Sequence, residues 1–134
     1  MTALNPAWTP DQLDRKERAE AGECVVANLS TVSKGRRKDE ALLTWAEATG
    51  RFVYIGRAVP RLKLRASPFH NPFRGHVHGD RESVCRKFAE YWPSKPELHE
   101  KARTLRGKVL ACWCHPEPCH GHFIAEWVNA ESKL

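Results

Sequence analysis

No stretch of about 18 apolar residues occurs in the chain, so nothing in the sequence has the length of a membrane-spanning helix. The first ten residues, from Met1 to Pro10, lack both the basic flank and the apolar run of a secretory signal, and the expectation is a cytoplasmic protein. Internal repeats and low-complexity segments are also missing, which fits one ordinary globular domain. Acidic residues are absent from one long segment. Positions 48–79 contain no Asp or Glu but hold Arg51, Arg57, Arg61, Lys63, Arg65 and Arg74. Lys34, Arg36, Arg37 and Lys38 form an earlier basic run. Cations without local compensation point to an anionic partner such as a phosphate, a nucleotide or a nucleic acid. A solvated basic surface is the competing reading.

What is present is enough for one modest core. The chain has 134 residues, 41% of them hydrophobic, too many for a disordered chain and too few residues for two domains. Its five cysteines are an odd number, and Cys112, Cys114 and Cys119 fall within eight positions. A disulfide framework would be spread along a secreted chain. Clustered Cys and His in a cytosolic protein read instead as metal ligands or reactive groups.

The local signals give an order of elements. Thr9, Pro10 and Gln12 open a helix in capping-box style, ending at Gly22. Its apolar face is thin. Cys24-Val25-Val26-Ala27 reads as a buried strand, and 30–37, polar and basic with Gly35, as a loop. Asp39 caps a helix through Thr49, with Leu42, Leu43, Trp45 and Ala46 turned to the core. Residues 51–56 are the clearest strand. Residues 57–79 hold three prolines and no period, and a connection of that length is functional or disordered; Phe69 and Phe73 favour an ordered loop. A helix over 80–92 carries Val84, Phe88, Tyr91 and Trp92 on one stripe. Ser94 and Glu97 suggest a second capping box, followed by Leu98, Ala102 and Leu105. Residues 108–114 form an apolar strand, 115–118 a turn, and a last helix buries Phe123, Ile124, Trp127 and Val128.

Strands alternating with helices predict a small three-layer α/β fold with a mostly parallel, Rossmann-like sheet. Strands near 24–28, 52–56 and 108–113 should be neighbours. In such sheets ligands bind beyond the carboxyl ends of the strands, which selects Gly56-Arg57 and the residues from Cys114 onward.

Two chemistries compete at the second place. Cys112, Cys114, Cys119, His120 and His122 could supply four ligands to a tetrahedral zinc. Their spacing is unlike a pair of Cys-x-x-Cys knuckles, and a Cys-x-Cys strand is a poor chelating bite, so the expectation is no structural metal. The other reading uses the start of the last helix, near Cys119 to Gly121. Free backbone N–H groups there can bind a phosphate or acidify a thiol. Cys114 with His120 would then form an activated Cys–His pair, while Cys112 and Cys119 read as small buried hydrophobes. Arg57 suits a bidentate phosphate contact, or else an ion pair with Asp80 or Glu82. Asn71, between Phe69 and Phe73, either presents its amide to a base or sugar or bonds its own backbone in a turn.

Tyr54-Ile55-Gly56-Arg57, Asn71-Pro72-Phe73, Gly79-Asp80-Arg81, Leu105-Arg106-Gly107-Lys108 and Cys112-Trp113-Cys114-His115-Pro116-Glu117-Pro118-Cys119-His120-Gly121 follow one another in a pattern. It resembles the family called domain of unknown function 4326, found in phages and actinobacteria, from about Phe52 to Asn129. Residues 1–50 resemble an N-terminal helix-strand-helix extension of actinobacterial members, and 51–131 the core domain. Two positions depart from the pattern: His70 stands where Gly is usual, and His122 where Asp is usual. The resemblance implies a site and no activity.

The expectations are thus a small protein that binds or processes a nucleotide, nucleoside or other phosphate-bearing ligand. Cys114 and His120 would act on it, and Arg57, Asn71, Phe73, Arg81 and Gly121 would hold it. The alternative is a non-enzymatic module contacting nucleic acid or a host protein, one that zinc could stabilise, with a continuous basic face and no deep pocket.

Overall fold

The computed structural model describes residues 8–74, 77 and 79–132. Positions 1–7, within the stretch read above for a targeting signal, lie outside the described residues, as do 75, 76 and 78 of the long connection.

Helix α1 (Pro10–Glu20) leads into β1 (Val25–Asn28), a hairpin of β2 (Thr31–Ser33) and β3 (Arg36–Arg37), helix α2 (Glu40–Ala48) and β4 (Phe52–Tyr54). After the long connection come α3 (Arg81–Tyr91), α4 (Pro96–Ala102), β5 (Val109–Cys112) and α5 (His120–Glu131). Strands β1, β5 and β4 form one parallel sheet in that order, with Val109 paired to both Val25 and Phe52. The last strand in sequence is therefore the central one. Its four residues are all buried, whereas edge strand β4 is only partly covered.

Strand alternation divides the core. Val25, Ala27, Val109 and Ala111 meet Ala19 of α1 and Leu42, Leu43 and Ala46 of α2 on one face. Val26, Leu110 and Cys112 meet Phe88 of α3, Leu98 and Ala102 of α4, and Ile124 and Val128 of α5 on the other. Helices on both faces of a small parallel sheet make an α/β fold.

Several local expectations are corrected. The 30–37 loop is the β2–β3 hairpin, closed by Lys34 and Gly35 in left-handed backbone (φ 40° and 78°). Trp45 does pack against the core, from a partly buried position, with Lys16 and Arg51 over its ring at 5.4 and 4.8 Å. Thr9 Oγ1 accepts from the Gln12 amide at 3.1 Å, but the Gln12 side chain turns to the Leu42 amide at 2.9 Å instead of closing a capping box. The Asp39 carboxylate does not cap α2; it accepts from Arg15 at 3.0 and 3.1 Å and from the Asn28 amide at 2.8 Å. Arg15 is 4% exposed and also bonds the Val26 carbonyl. A buried guanidinium replaces apolar area there, which is why the apolar face of α1 is thin. Ser94 bonds the Tyr91 carbonyl and leaves α4 without a side-chain cap.

No helix among the described residues is long and apolar enough to cross a membrane.

Candidate functional site

Beyond the carboxyl ends of β4 and β5 the chain leaves a cleft of about 400 Å³. Its walls carry Arg57, Asn71, Phe73, Arg81, Cys85, Cys114, Cys119 and His120. A hollow of about 300 Å³ lined by Tyr54, Val59 and Trp113 adjoins it and shares Arg57, Asn71, Cys114, Cys119 and His120 with it. Tyr54, at the end of β4, and Trp113, just past β5, are latched together. The Trp113 indole N–H donates to the Tyr54 hydroxyl at 3.1 Å, and that hydroxyl donates to the Arg57 carbonyl at 2.5 Å. Gly56 is required below this latch, since a Cβ there would run into the Tyr54 phenol.

Arg57 follows β4 and reaches across the cleft mouth. Its Nη2 donates to the Asn71 carbonyl at 2.6 Å and the Phe73 carbonyl at 3.3 Å. Neither Arg57 nor Arg81 forms an ion pair with a carboxylate among the described residues. Burial, then the nearby Arg74 charge, lower the Arg57 pKa. Asn71 is engaged within the protein. Its Oδ1 accepts from the Phe73 amide at 2.9 Å and its Nδ2 donates to the Val84 carbonyl of α3 at 3.2 Å. The turn reading describes this side chain: it shapes the loop that carries Phe73, whose ring meets Tyr91 edge-on at 5.9 Å. His70, the residue in the usual Gly position, has ordinary backbone and bonds the Ser67 carbonyl through Nδ1 at 2.8 Å.

Cys114 lies just past the end of β5, half-buried at the cleft wall. Its pKa is drawn down to about 6, first by a hydrogen bond from the Cys119 thiol and then by the Arg81 charge and hydrogen bond, against the cost of burial. Cys119 is the N-cap of α5. Its sulfur accepts from the Gly121 amide at 3.3 Å, and its own pKa is pushed up because its single thiol hydrogen is shared between the Cys112 and Cys114 sulfurs. Cys112 is buried, with its pKa lowered by the Cys119 thiol and by the Cys114 and His115 amides. Cys85, from α3, lines the same cleft and has its pKa raised by burial and by Cys114.

His120 shares the cleft with Cys114 but does not bond it directly. Its ring bonds the Ile55 carbonyl through Nε2 at 2.9 Å, which leaves Nδ1 facing Cys119 Sγ at 3.9 Å. Phe88 packs edge-on against the imidazole at 5.0 Å. Burial brings the His120 pKa down to about 4, so the ring is neutral at physiological pH. Cys119 thus stands between His120 and Cys114, and the expected direct pair is a three-member chain.

Gly121 lies beside the cleft and does not line it. A Cβ there would meet Ile55 Cδ1 at 2.7 Å and Val26 Cγ1 at 3.6 Å, so this glycine lets α5 sit directly on the sheet. His122 leaves the cluster altogether and meets His115 on the turn, with Nε2 and Nδ1 2.9 Å apart. Among the described residues no group of three or more His, Cys, Asp or Glu is arranged to hold a metal ion.

The cleft therefore joins Arg57, Asn71, Phe73, Arg81, Cys114 and His120. Sequence reasoning passed over Cys119 as a contact of Cys114, and over Cys85. Cys85 sits one residue after Val84, a core position of α3, and that adjacency to a buried stripe was the only available signal. Cys119 had the clearer one, since a thiol at an N-cap can accept a backbone amide.

A family model described as domain of unknown function (DUF4326) matches residues 36–130. An uncharacterized 12.4 kDa protein in the nrdA-td intergenic region of Enterobacteria phage T4 is 31% identical over 72 residues, covering 51% of this chain and 67% of the phage protein. No solved structure matches.

Proposed function

Because the chain belongs to the DUF4326 family of domains of unknown function, which supplies a lineage without a reaction, we propose from the cleft itself that it binds a nucleotide, nucleoside or related phosphate-bearing ligand and acts on it through Cys114. The observation that carries this reading is the convergence of Arg57 and Arg81, both without carboxylate partners among the described residues, on a half-buried Cys114 in one cleft of about 400 Å³. Guanidinium groups recognise phosphate oxygens in bidentate fashion. A thiolate at pH 7 is the form of cysteine that attacks an electrophile.

The roles divide accordingly. Arg57 and Arg81 hold the anionic group. Cys114 is the nucleophile, and Cys119 keeps it ionised by donating its thiol hydrogen. His120 is a neutral positioning residue. Asn71 acts through the loop, fixing Phe73 at the cleft mouth as a surface against which a base or sugar can rest. The three-strand parallel core supports a Rossmann-like reading, in which ligands bind past the carboxyl edge. No metal enters the scheme. A cleft of this volume is within the range of small-molecule sites, which favours an enclosed ligand over the flat basic face that a nucleic-acid or host-protein module requires.

Thermal unfolding measured against a panel of nucleotides, nucleosides and inorganic phosphate tests the reading. A ligand at about 100 times its Kd should add about 2.7 kcal/mol, a rise in Tm of several degrees. Arg81→Ala should weaken that ligand about tenfold or more, because the arginine is exposed and its loss leaves the core intact. If no member stabilises the protein at millimolar concentration, the proposal fails.

A further inference from the structure

The reading above uses one cysteine, yet the cleft holds more sulfur than a single nucleophile needs. Cys85, Cys114 and Cys119 line the main cleft, and Cys112, Cys114 and Cys119 line the adjoining hollow. All five cysteines of the chain are free thiols. They are unequally accessible. Cys112 and Cys119 are 2% and 5% exposed, while Cys114 and Cys85 are partly open to the cleft. Arg81 acts on both of the open sulfurs, but only Cys114 also accepts a hydrogen bond from it. The Cys119 thiol is already hydrogen-bonded to Cys114, so the two sulfurs are in contact before any reaction. On the far side of Cys119 the Nδ1 of His120 stands 3.9 Å from its sulfur.

We infer that Cys114 is a hydroperoxide-reactive thiol and that Cys119 is its resolving partner, so that the same cleft is closed by a reversible Cys114–Cys119 disulfide. In the first step the Cys114 thiolate attacks the distal oxygen of a hydroperoxide. The S–O bond forms, the O–O bond breaks, and the alkoxide leaves as the alcohol after taking a proton from solvent. In the second step the Cys119 sulfur attacks the Cys114 sulfur as its proton passes to the departing oxygen. The S–S bond forms, the S–O bond breaks, and the oxygen leaves with the Cys119 proton as water. Two thiols and one hydroperoxide become one disulfide, one alcohol and one water. A cellular dithiol reverses the change by exchange.

The new bond carries a structural consequence. Cys119 Sγ now accepts from the Gly121 amide at 3.3 Å, and drawing that sulfur toward Cys114 loosens the cap of α5. The disulfide would also consume the nucleophile of the ligand site and bridge the wall shared by the two hollows. This rests on the same thiolate as the proposed function but needs no phosphate ligand, so the two can fail separately.

The test is stoichiometric hydrogen peroxide on the full chain, followed by intact mass and non-reducing peptide mapping. The expected result is a loss of two hydrogens with the link between Cys114 and Cys119, restored by dithiothreitol. Cys119→Ser should instead leave a sulfenic acid on Cys114, captured by dimedone, and Cys114→Ser should lose the fast reaction. A link from Cys114 to Cys85, a link between Cys112 and Cys119, or oxidation of wild-type Cys114 to sulfinic acid without a disulfide would each overturn the assignment. The wild-type map decides the matter even if a variant does not fold.

Discussion

Cys114 is held between two donors of unlike character. Cys119 supplies a hydrogen bond from within the protein, and Arg81 supplies charge from the exposed start of α3. Their order of importance is measurable. Carbamidomethylation of Cys114 should rise with pH through an inflection near 6 and level off above it, because the thiolate is the reacting form. Cys119→Ala should move the inflection up further than Arg81→Ala, since the Cys119 bond is the larger cause of the shift. An inflection near 8.5, the ordinary thiol value, in the wild type would show that neither donor acts as described. Residue identity made part of this legible. Arg57, Arg81 and Cys114 fall at strand and helix ends that the periodicity locates, and those ends meet in one cleft. The internal partners were not legible. Nothing in the letters chooses the turn reading of Asn71, whose amide is engaged by Phe73 and Val84, over the ligand reading, or tells that His120 turns to Ile55 and reaches Cys114 only through Cys119. Those are choices of side-chain direction that tertiary packing makes.

Among the elements, α5 does most to build the site, and it does so by lying close to the sheet. Gly121 permits the approach. Ile55, the residue a new Cβ would strike at 2.7 Å, is fully buried and has nowhere to move. Gly121→Ala should therefore cost about 1–3 kcal/mol despite the better helix propensity of alanine. It should also reduce the reactivity of Cys114 by shifting Cys119. Chemical denaturation reads the first effect and alkylation the second; a variant as stable as the wild type would show that α5 has slack at this point. The strands were legible as segments and not as an order. Val109–Cys112, Val25–Asn28 and Phe52–Tyr54 carry the expected apolar and β-branched residues, but local pattern is silent on which strand lies between the other two. The hairpin over Thr31–Ser33 and Arg36–Arg37 was missed because its residues are mostly exposed and polar. Its signal is the turn at Lys34-Gly35 and not hydrophobic alternation.

At the scale of the whole molecule, the net charge of +6 is not spread evenly with respect to the site. Some cations of the acid-free segment are spent on structure, as Arg51 is over Trp45. Arg61, Lys63 and Arg65 remain exposed on the same connection that begins at Arg57. Their field favours the approach of an anion toward that edge, and Arg57 and Arg81 give it a place to stop. The account stands or falls on whether a phosphate-bearing ligand occupies the space in front of Cys114. The most direct measurement is the rate of Cys114 alkylation by iodoacetamide, followed site by site by mass spectrometry, as a stabilising nucleotide or nucleoside is added. The account predicts saturable protection of Cys114, with half-protection at the concentration that half-saturates the thermal shift and with protection weakened by Arg81→Ala. An alkylation rate at Cys114 that stays constant while the same ligand stabilises the fold would place the ligand elsewhere and contradict it.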